Sequence, residues 1–212
     1  MKTLNNYLNE ALIGKNSKVQ SHKYSPKTRK DLITIIQEKT ENIKEDGVLY
    51  LADIDVSEIT EMNHLFQHID ARYRNKIKII DISGWETSQV TNMVGMFSFC
   101  HSVEQIKGIE NLNTKKVERV NAMFSFCNSL KTLDLSKWDY TKFQNMIFMF
   151  HGCKNLEYIG NIGKWETFIR KWIYSTNDID QQKHNLRNIF KECSKLKKPQ
   201  WYKKLYKELY KK

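Results

Sequence analysis

The sequence predicts an α/β fold of the solenoid type, built from about five strand–helix units in series with a helix at each end. Three observations predict it. A segment of the type Met-Phe-x-x-Cys recurs along the chain, apolar residues within each copy follow the spacing of one helix face, and a short apolar segment typical of a strand follows each copy. Because units that recur in one phase stack their apolar faces, we expect one continuous core.

Each copy of the repeated segment carries a marker phenylalanine, at Phe66, Phe97, Phe124, Phe150 and Phe190. The spacings between successive markers are 31, 27, 26 and 40 residues. In the copy at residues 117–127, the first, fourth, seventh, eighth and eleventh residues are apolar, which is typical of one face of a short helix. Residues 133–135 then alternate apolar and polar side chains, as a strand does. A strand and a helix repeated at this interval predict a leucine-rich-repeat-like array.

The first part of the chain, residues 1–47, is interpreted as a helical N-terminal cap. Ser25 followed by Pro26 is a good helix start, and apolar residues continue at helical spacing to about Asn42. A stacked array needs terminal elements that cover its exposed edges. We therefore assign residues 1–47 to this cap and residues 48–198 to the repeat array.

The last part, residues 199–212, is predicted to be a basic amphipathic C-terminal helix, because Trp201, Leu205 and Leu209 recur at every fourth position. The net charge of the chain is +11, and residues 191–212 hold nine basic and two acidic side chains. Such a local excess attracts polyanions, although lysines on a terminal cap are also simply solvated. The candidate polyanion-binding residues are Lys203, Lys204, Lys207, Lys211 and Lys212.

The spacing between Phe150 and Phe190 exceeds the repeat, and the extra residues mix aromatic and charged side chains. Insertions in repeat arrays map to loops on one face, which is often the binding face. The alternative is an extended helix that packs Trp172 and Ile173 into the core. The sequence leaves both interpretations open.

A candidate protein-binding face consists of side chains that lie between the inward-facing positions of the predicted strands. These residues vary from copy to copy, as expected of a surface that recognises a protein. Among them Ile79 and Tyr158 are the expected energetic anchors. The full set is Lys78, Ile79, Glu104, Gln105, Lys131, Thr132, Glu157 and Tyr158.

The cysteines invite a metal-site or disulfide interpretation, but their spacing argues against it. Cys100, Cys127, Cys153 and Cys193 each follow the marker phenylalanine by three residues, and Ile69 occupies that position in the first copy. A position that accepts isoleucine is an apolar packing position. We therefore expect buried, reduced thiols and neither a metal nor a cofactor.

Other chemistry-bearing residues also have simple structural explanations. His64 and His68 lie four apart, but the glutamate of the zinc-protease motif is missing between them, so we interpret them as surface histidines. Asp81 and Asp134 recur at the same strand position and are expected to accept turn or strand-edge hydrogen bonds. The chain contains neither a glycine-rich phosphate loop nor a nucleophile elbow, so we expect no catalytic residues and no small-molecule substrate.

Several copies share one detailed pattern. Residues 81–100 contain Asp-Ile-Ser-Gly-Trp, then Val-Thr-Asn-Met, then Met-Phe-Ser-Phe-Cys, and residues 133–138 read Leu-Asp-Leu-Ser-Lys-Trp. This pattern resembles the BspA-like leucine-rich repeat family of bacterial surface proteins and Mycoplasma lipoproteins, which also occurs in phage-encoded proteins. The resemblance covers roughly residues 54–196. It implies a repeat fold and adhesion or protein contact, and it implies no catalytic residues.

The sequence thus predicts a non-enzymatic protein-binding repeat module that acts as a component or accessory of a larger assembly. The alternatives are a phage virion-associated structural protein and a nucleic-acid or other polyanion binder acting through the lysine-rich helix. Residues 1–14 lack the apolar stretch of a signal peptide, no lipobox cysteine follows, and no apolar run is long enough to span a membrane. We therefore expect an intracellular (cytoplasmic) or virion-associated protein with a protein partner.

Overall fold

The computed structural model of the protein describes residues 22–211. Within this range the chain forms an α/β mixture of five α-helices, five short strands and two 3-10 helices. In chain order these elements are α1 (Arg29–Glu41), β1 (Val48–Tyr50), α2 (Ala71–Arg74), β2 (Ile79–Asp81), β3 (Gln105–Lys107), a 3-10 helix (Ile109–Asn111), β4 (Thr132–Asp134), β5 (Tyr158–Gly160), a second 3-10 helix (Ile162–Trp165), α3 (Glu166–Ile173), α4 (Ile179–Ile189) and α5 (Gln200–Tyr210).

The strands form two separate parallel sheets, one of three strands in the order β1-β2-β3 and one of two strands, β4 and β5. In the larger sheet Leu49 pairs with Ile80, which pairs with Ile106, and all three side chains are buried. In the smaller sheet Leu133 pairs with Ile159, and both are buried. Because neighbouring side chains along a strand point to opposite faces, the residues before and after these positions lie on the outer face.

The prediction of a five-unit strand–helix solenoid is wrong. The described strands form short sheets of three and two strands, and four of the five repeated segments contain no helix. In the segment 117–127, the amide of Met123 donates to Val120 three residues earlier, and the amide of Phe124 donates across to Met149. The apolar residues that recur at every third position therefore lie in successive turns and not in a helix. Only the fifth segment is helical, since α4 covers residues 179–189.

The repeated segments are joined by a row of stacked phenylalanines that runs through the core. The row consists of Phe66, Phe97, Phe124, Phe150 and Phe190, each at most 1% exposed. Successive ring centroids lie 5.0, 5.6, 5.7 and 5.7 Å apart, and the interplanar angles do not exceed 15°. The marker phenylalanines are thus core residues that connect one segment to the next.

Helix α1 begins at Arg29, three residues later than the start that the sequence predicted at Pro26. Thr28 is its N-cap: the hydroxyl accepts from the Asp31 amide, and the Asp31 carboxylate accepts from the Thr28 amide. Leu32 and Ile36 are buried and place one face of α1 on the core. Residues 1–21 of the predicted N-terminal cap lie outside the described residues, and the division of the chain into three parts stays a prediction.

The long spacing before Phe190 is filled by α3 and the start of α4. Trp172 is 8% exposed and Ile173 is fully buried, so this segment packs into the core. Of the two interpretations left open by the sequence, the structure supports the helix rather than a binding loop.

One glycine and one alanine, at equivalent positions two residues before a marker phenylalanine, have left-handed backbone conformations. Gly95 has φ +57° and Ala122 has φ 52°. A Cβ on Gly95 would lie 2.5 Å from Nδ1 of His64. Left-handed backbone costs a residue with a Cβ roughly 1–2 kcal/mol, whereas glycine adopts it freely.

We expect the exchange at these two positions to have opposite effects. Gly95→Ala should lower the free energy of unfolding by about 1–3 kcal/mol, because it adds both backbone strain and a clash. Ala122→Gly should raise it by about 0.5–1 kcal/mol. The substitution removes the backbone strain of the folded state, and this effect is larger than the destabilisation caused by the greater conformational entropy of glycine in the unfolded chain. Urea unfolding followed by circular dichroism measures both. A change of the same sign in the two variants would contradict the assigned backbone conformations.

Candidate functional sites

The eight residues predicted as a protein-binding face lie on or beside the strands, and they are called the strand face below. Seven of them are exposed, and Ile79 is half-buried. Lys78, Ile79, Glu104 and Gln105 belong to the three-stranded sheet, whereas Lys131, Thr132, Glu157 and Tyr158 belong to the two-stranded sheet. Since no strand pairing joins β3 to β4, the strand face consists of two groups of four.

Backbone hydrogen bonds hold each group in the same way. The amides of Glu104 and Gln105 both donate to the carbonyl of Lys78, at 2.8 and 3.3 Å. In the second group the amides of Glu157 and Tyr158 both donate to the carbonyl of Lys131, at the same two distances. The backbone positions of these residues are therefore fixed by main-chain hydrogen bonds.

The two expected anchors of the strand face differ strongly in exposure. Ile79 is half-buried, while Tyr158 is 61% exposed. Tyr50, on the outer side of β1, is 40% exposed and was missed in the sequence because its strand precedes the first clear copy of the repeat. Exposure alone thus favours Tyr158 as the contact residue of this face.

A second candidate site is a groove of about 660 Å³ between the end of α4 and the first turns of α5. It is called the basic groove below, because one acidic residue, Glu192, lines it together with six basic ones. Its aromatic wall is formed by Phe190, Tyr202 and Tyr206. The six basic residues are Arg187, Lys191, Lys198, Lys203, Lys204 and Lys207.

The basic groove contains only part of the lysine set predicted from the sequence. Lys203, Lys204 and Lys207 line it, whereas Lys211 lies further along the surface, in a shallow depression beside Glu208. Lys212 lies outside the described residues. The remaining three cations come from α4 and from the segment that joins α4 to α5. Lys191 and Lys198 were counted in the basic C-terminal part of the sequence, but no sequence pattern identified Arg187.

Helix α5 is packed against the body of the protein on one side. The indole N–H of Trp201 donates to the carbonyl of Ile162 at 2.8 Å, and the Trp201 side chain is 4% exposed. Two guanidinium nitrogens of Arg170 donate to the two carboxylate oxygens of Glu208, at 2.7 and 3.1 Å. This hydrogen bonding lowers the pKa of Glu208. Lys203, Lys204 and Lys207 therefore belong to a helix that is docked on the body of the protein.

Three tyrosines at every fourth position stack along α5, from the buried Tyr202 to Tyr206 and Tyr210. The rings of Tyr202 and Tyr206 lie 6.1 Å apart, and those of Tyr206 and Tyr210 lie 4.2 Å apart. Burial raises the pKa of Tyr202 to about 12. Tyr206 is 39% exposed, so part of its ring faces the solvent of the basic groove.

Comparison with protein families decides where the chain belongs. The family described as "Mycoplasma protein of unknown function, DUF285" matches residues 34–105 and 60–198. The chain is a member of this family. DUF285 is associated with BspA-like repeat proteins, and the family match therefore agrees in general terms with the resemblance seen in the sequence. No curated protein and no solved structure shows significant similarity to the chain.

In this DUF285 protein the matched residues include the whole strand face, and the match ends before α5 begins at Gln200. The basic groove is therefore lined partly by residues within the family match, from Arg187 to Lys198, and partly by residues of α5 that follow it. Among residues 22–211, no helix is both long enough and apolar enough to cross a membrane.

The packing role predicted for the cysteines is confirmed, since all four are buried with free thiols. The thiols of Cys127, Cys153 and Cys193 each donate to the carbonyl of a marker phenylalanine one segment earlier, at 3.2, 3.0 and 2.8 Å. Burial raises the pKa of the Cys100 and Cys193 thiols to about 12. The thiols of Cys127, Cys153 and Cys193 are therefore protonated hydrogen-bond donors within the core.

The turn role predicted for the two repeated aspartates is also confirmed. Asp81 Oδ1 accepts from the amide and the hydroxyl of Ser83, at 3.1 and 2.6 Å. Asp134 Oδ1 accepts from the amide of Ser136 at 2.9 Å, and hydrogen bonding from Ser136 lowers the pKa of Asp134. Both carboxylates thus hold the turn after a strand.

Proposed function

We propose that this DUF285 protein is a non-enzymatic, BspA-like protein-interaction module that contacts its partner through the strand face. The observation that carries the proposal is the exposure of Tyr158, whose 61% is the largest value among the exposed large hydrophobic residues of the described chain. Tyrosine is enriched among the residues that dominate binding energy at protein interfaces. An exposed tyrosine on a rigid strand therefore suits a contact residue.

The charges of the strand face favour a protein over a polyanion as partner. Two lysines, Lys78 and Lys131, are balanced by two glutamates, Glu104 and Glu157. Lys78 and Glu104 form an exposed ion pair at 3.8 Å, which contributes little to stability. An aromatic residue surrounded by balanced polar side chains matches the usual composition of a protein interface with a polar rim.

The main-chain pairing of β4 and β5 also supports this role, because it holds Tyr158 in place before a partner arrives. Ordering of contact residues on binding costs free energy, and a preformed surface reduces that cost. The pairing of Thr132 with Tyr158 and of Leu133 with Ile159 leaves the Tyr158 side chain on the outside while its backbone is fixed.

Site-specific photocrosslinking identifies the partner and tests the face at once. A benzophenone amino acid placed at Tyr158 is expected to crosslink one partner in extracts of the source organism. The same group at Tyr174, which is 45% exposed but lies at the end of α3, is the matched control. Equal crosslinking of that partner from both positions would count against the strand face.

Once the partner is known, Tyr158→Asp should raise the Kd by about 30-fold or more, since a hot-spot residue contributes at least about 2 kcal/mol. The free energy of unfolding should change by no more than about 0.5 kcal/mol, because the side chain is exposed. Isothermal titration and urea unfolding measure the two quantities. Unchanged affinity would show that the partner binds elsewhere, and Tyr174→Asp controls for the added charge.

A further inference from the structure

We propose that the basic groove binds single-stranded nucleic acid, with its cations on the phosphates and Tyr206 stacked on a base. The groove and the strand face share no residue, so this inference is independent of the proposed protein contact. It rests on three features of the groove: its excess of positive charge, its partly exposed aromatic wall and the burial of the apolar side of α5.

The positive charge of the basic groove is offset in part only, because Glu192 is the one acidic residue among its described lining residues. None of its six cations forms an ion pair with another residue in the range 22–211. Glu192 lies beside His151, with their side-chain atoms 3.3 Å apart, and Glu208 is bound by Arg170. Six like charges around one groove repel one another, and a bound polyanion relieves that repulsion.

The aromatic wall distinguishes nucleic acid from a simple acidic surface. Proteins that bind single strands combine a cationic groove with aromatic rings on which bases stack. Tyr206 is the groove residue suited to this role, because it is 39% exposed; its ring centroid lies 4.2 Å from that of Tyr210 and 6.1 Å from that of Tyr202. Tyr202 is 6% exposed and forms the inner part of the wall.

The buried side of α5 argues against a membrane as the occupant. A helix that binds a bilayer needs a free apolar face to insert between the lipids. In α5 the apolar residues Trp201, Leu205 and Leu209 are 4%, 1% and 3% exposed, because they pack on the body of the protein. The exposed residues of α5 are Gln200, Lys203, Lys204, Tyr206, Lys207 and Glu208.

The inference is tested by fluorescence anisotropy with the full chain and labelled 15-nucleotide oligothymidylate and oligouridylate. Binding of at least one oligonucleotide is expected at 50 mM salt. If about four phosphates are contacted, the affinity should fall about 50-fold at 200 mM salt, since the logarithmic salt slope for single strands is about −0.7 per contact. Absence of binding to both probes at 50 mM salt would overturn the proposal.

Charge reversal locates the site. Lys203→Glu combined with Lys207→Glu should weaken binding at least 10-fold. Lys115→Glu combined with Lys142→Glu is the matched control, because these lysines are exposed, do not line the groove and carry the same charge change. If both double variants lost affinity equally, the loss would be an effect of net charge alone, and the assignment of the binding site to the groove would be overturned.

The stacking contact has its own variants. Tyr206→Ala should weaken binding about 10-fold, while Tyr206→Phe should leave it within about 2-fold, because a stacked base contacts the ring and not the hydroxyl. Circular dichroism confirms that both variants are folded. Equal affinities for the alanine and phenylalanine variants would contradict stacking.

Competition distinguishes the other classes of polyanion. Unlabelled oligothymidylate should displace the probe at lower concentration, counted in charges, than polyglutamate or vesicles containing phosphatidylserine. If polyglutamate or the vesicles compete equally well or better, the groove recognises negative charge without bases and the proposal of a nucleic-acid site fails.

Discussion

Phe124→Ala is expected to lower the free energy of unfolding by about 3–5 kcal/mol, the usual cost of removing a large aromatic side chain from a packed core. Phe124 is fully buried at the middle of the phenylalanine row. Its ring lies 5.6 Å from Phe97 and 5.7 Å from Phe150, almost parallel to both. Alanine would leave a cavity between two segments that this ring joins, so neither neighbour could close it without moving backbone.

Urea unfolding followed by circular dichroism measures this loss. Phe99→Ala is the matched control, since it removes the same atoms from a side chain that is 39% exposed. We expect a loss of at most about 1 kcal/mol there, chiefly from the contact with Phe126 at 5.2 Å. Similar losses at Phe99 and Phe124 would mean that the phenylalanine row is not the core of the protein.

Trp201→Ala is expected to cost a similar amount, about 3–5 kcal/mol, because it removes the side chain that fastens α5 to the body. The indole is 4% exposed, lies 6.2 Å from the Phe190 ring and donates its N–H to Ile162. The substitution therefore removes packing at the end of the phenylalanine row together with a hydrogen bond. Denaturation followed by circular dichroism is again the measurement.

Two further variants separate these contributions. Trp201→Phe retains most of the packing and should lose about 1 kcal/mol, mainly from the missing hydrogen bond. Lys203→Ala, two residues later on the exposed side of α5, should change stability by no more than about 0.5 kcal/mol. If Trp201→Ala were as harmless as Lys203→Ala, α5 would not be a docked part of the fold. Deleting residues 199–212 would remove Trp201, so the lysines are better tested by substitution.

The buried positions of this protein were largely predictable from one feature, the recurrence of the same residue types in phase. The marker phenylalanines and the cysteines are buried where the repeat placed them, since a side chain that recurs in every copy meets the same neighbours in every copy. The reduced cysteine core and the turn role of Asp81 and Asp134 followed from the same alignment of copies.

The backbone conformation of the copies was not predictable in the same way. Apolar residues three positions apart fit both a helix and a series of turns, and the correct choice depends on where the backbone amides find their acceptors. In residues 117–127 several amides, including that of Phe124, donate to the next segment, whereas α4 keeps helical pairing. A local pattern does not contain these partners, because they belong to segments about 26 residues away.

From the sequence alone one could assign the marker phenylalanines and the cysteines to the core and locate the excess of positive charge near the C-terminus. That four of the five copies are turns, and that the cations form a groove, depends on contacts between distant parts of the chain. Arg187 on α4 lines the same groove as Lys203 and Lys207 on α5. The two helices lie side by side because Trp201 and Leu205 of α5 are buried against the body of the protein. Side-chain pattern specifies burial locally, but a site built from two elements exists only after those elements have packed.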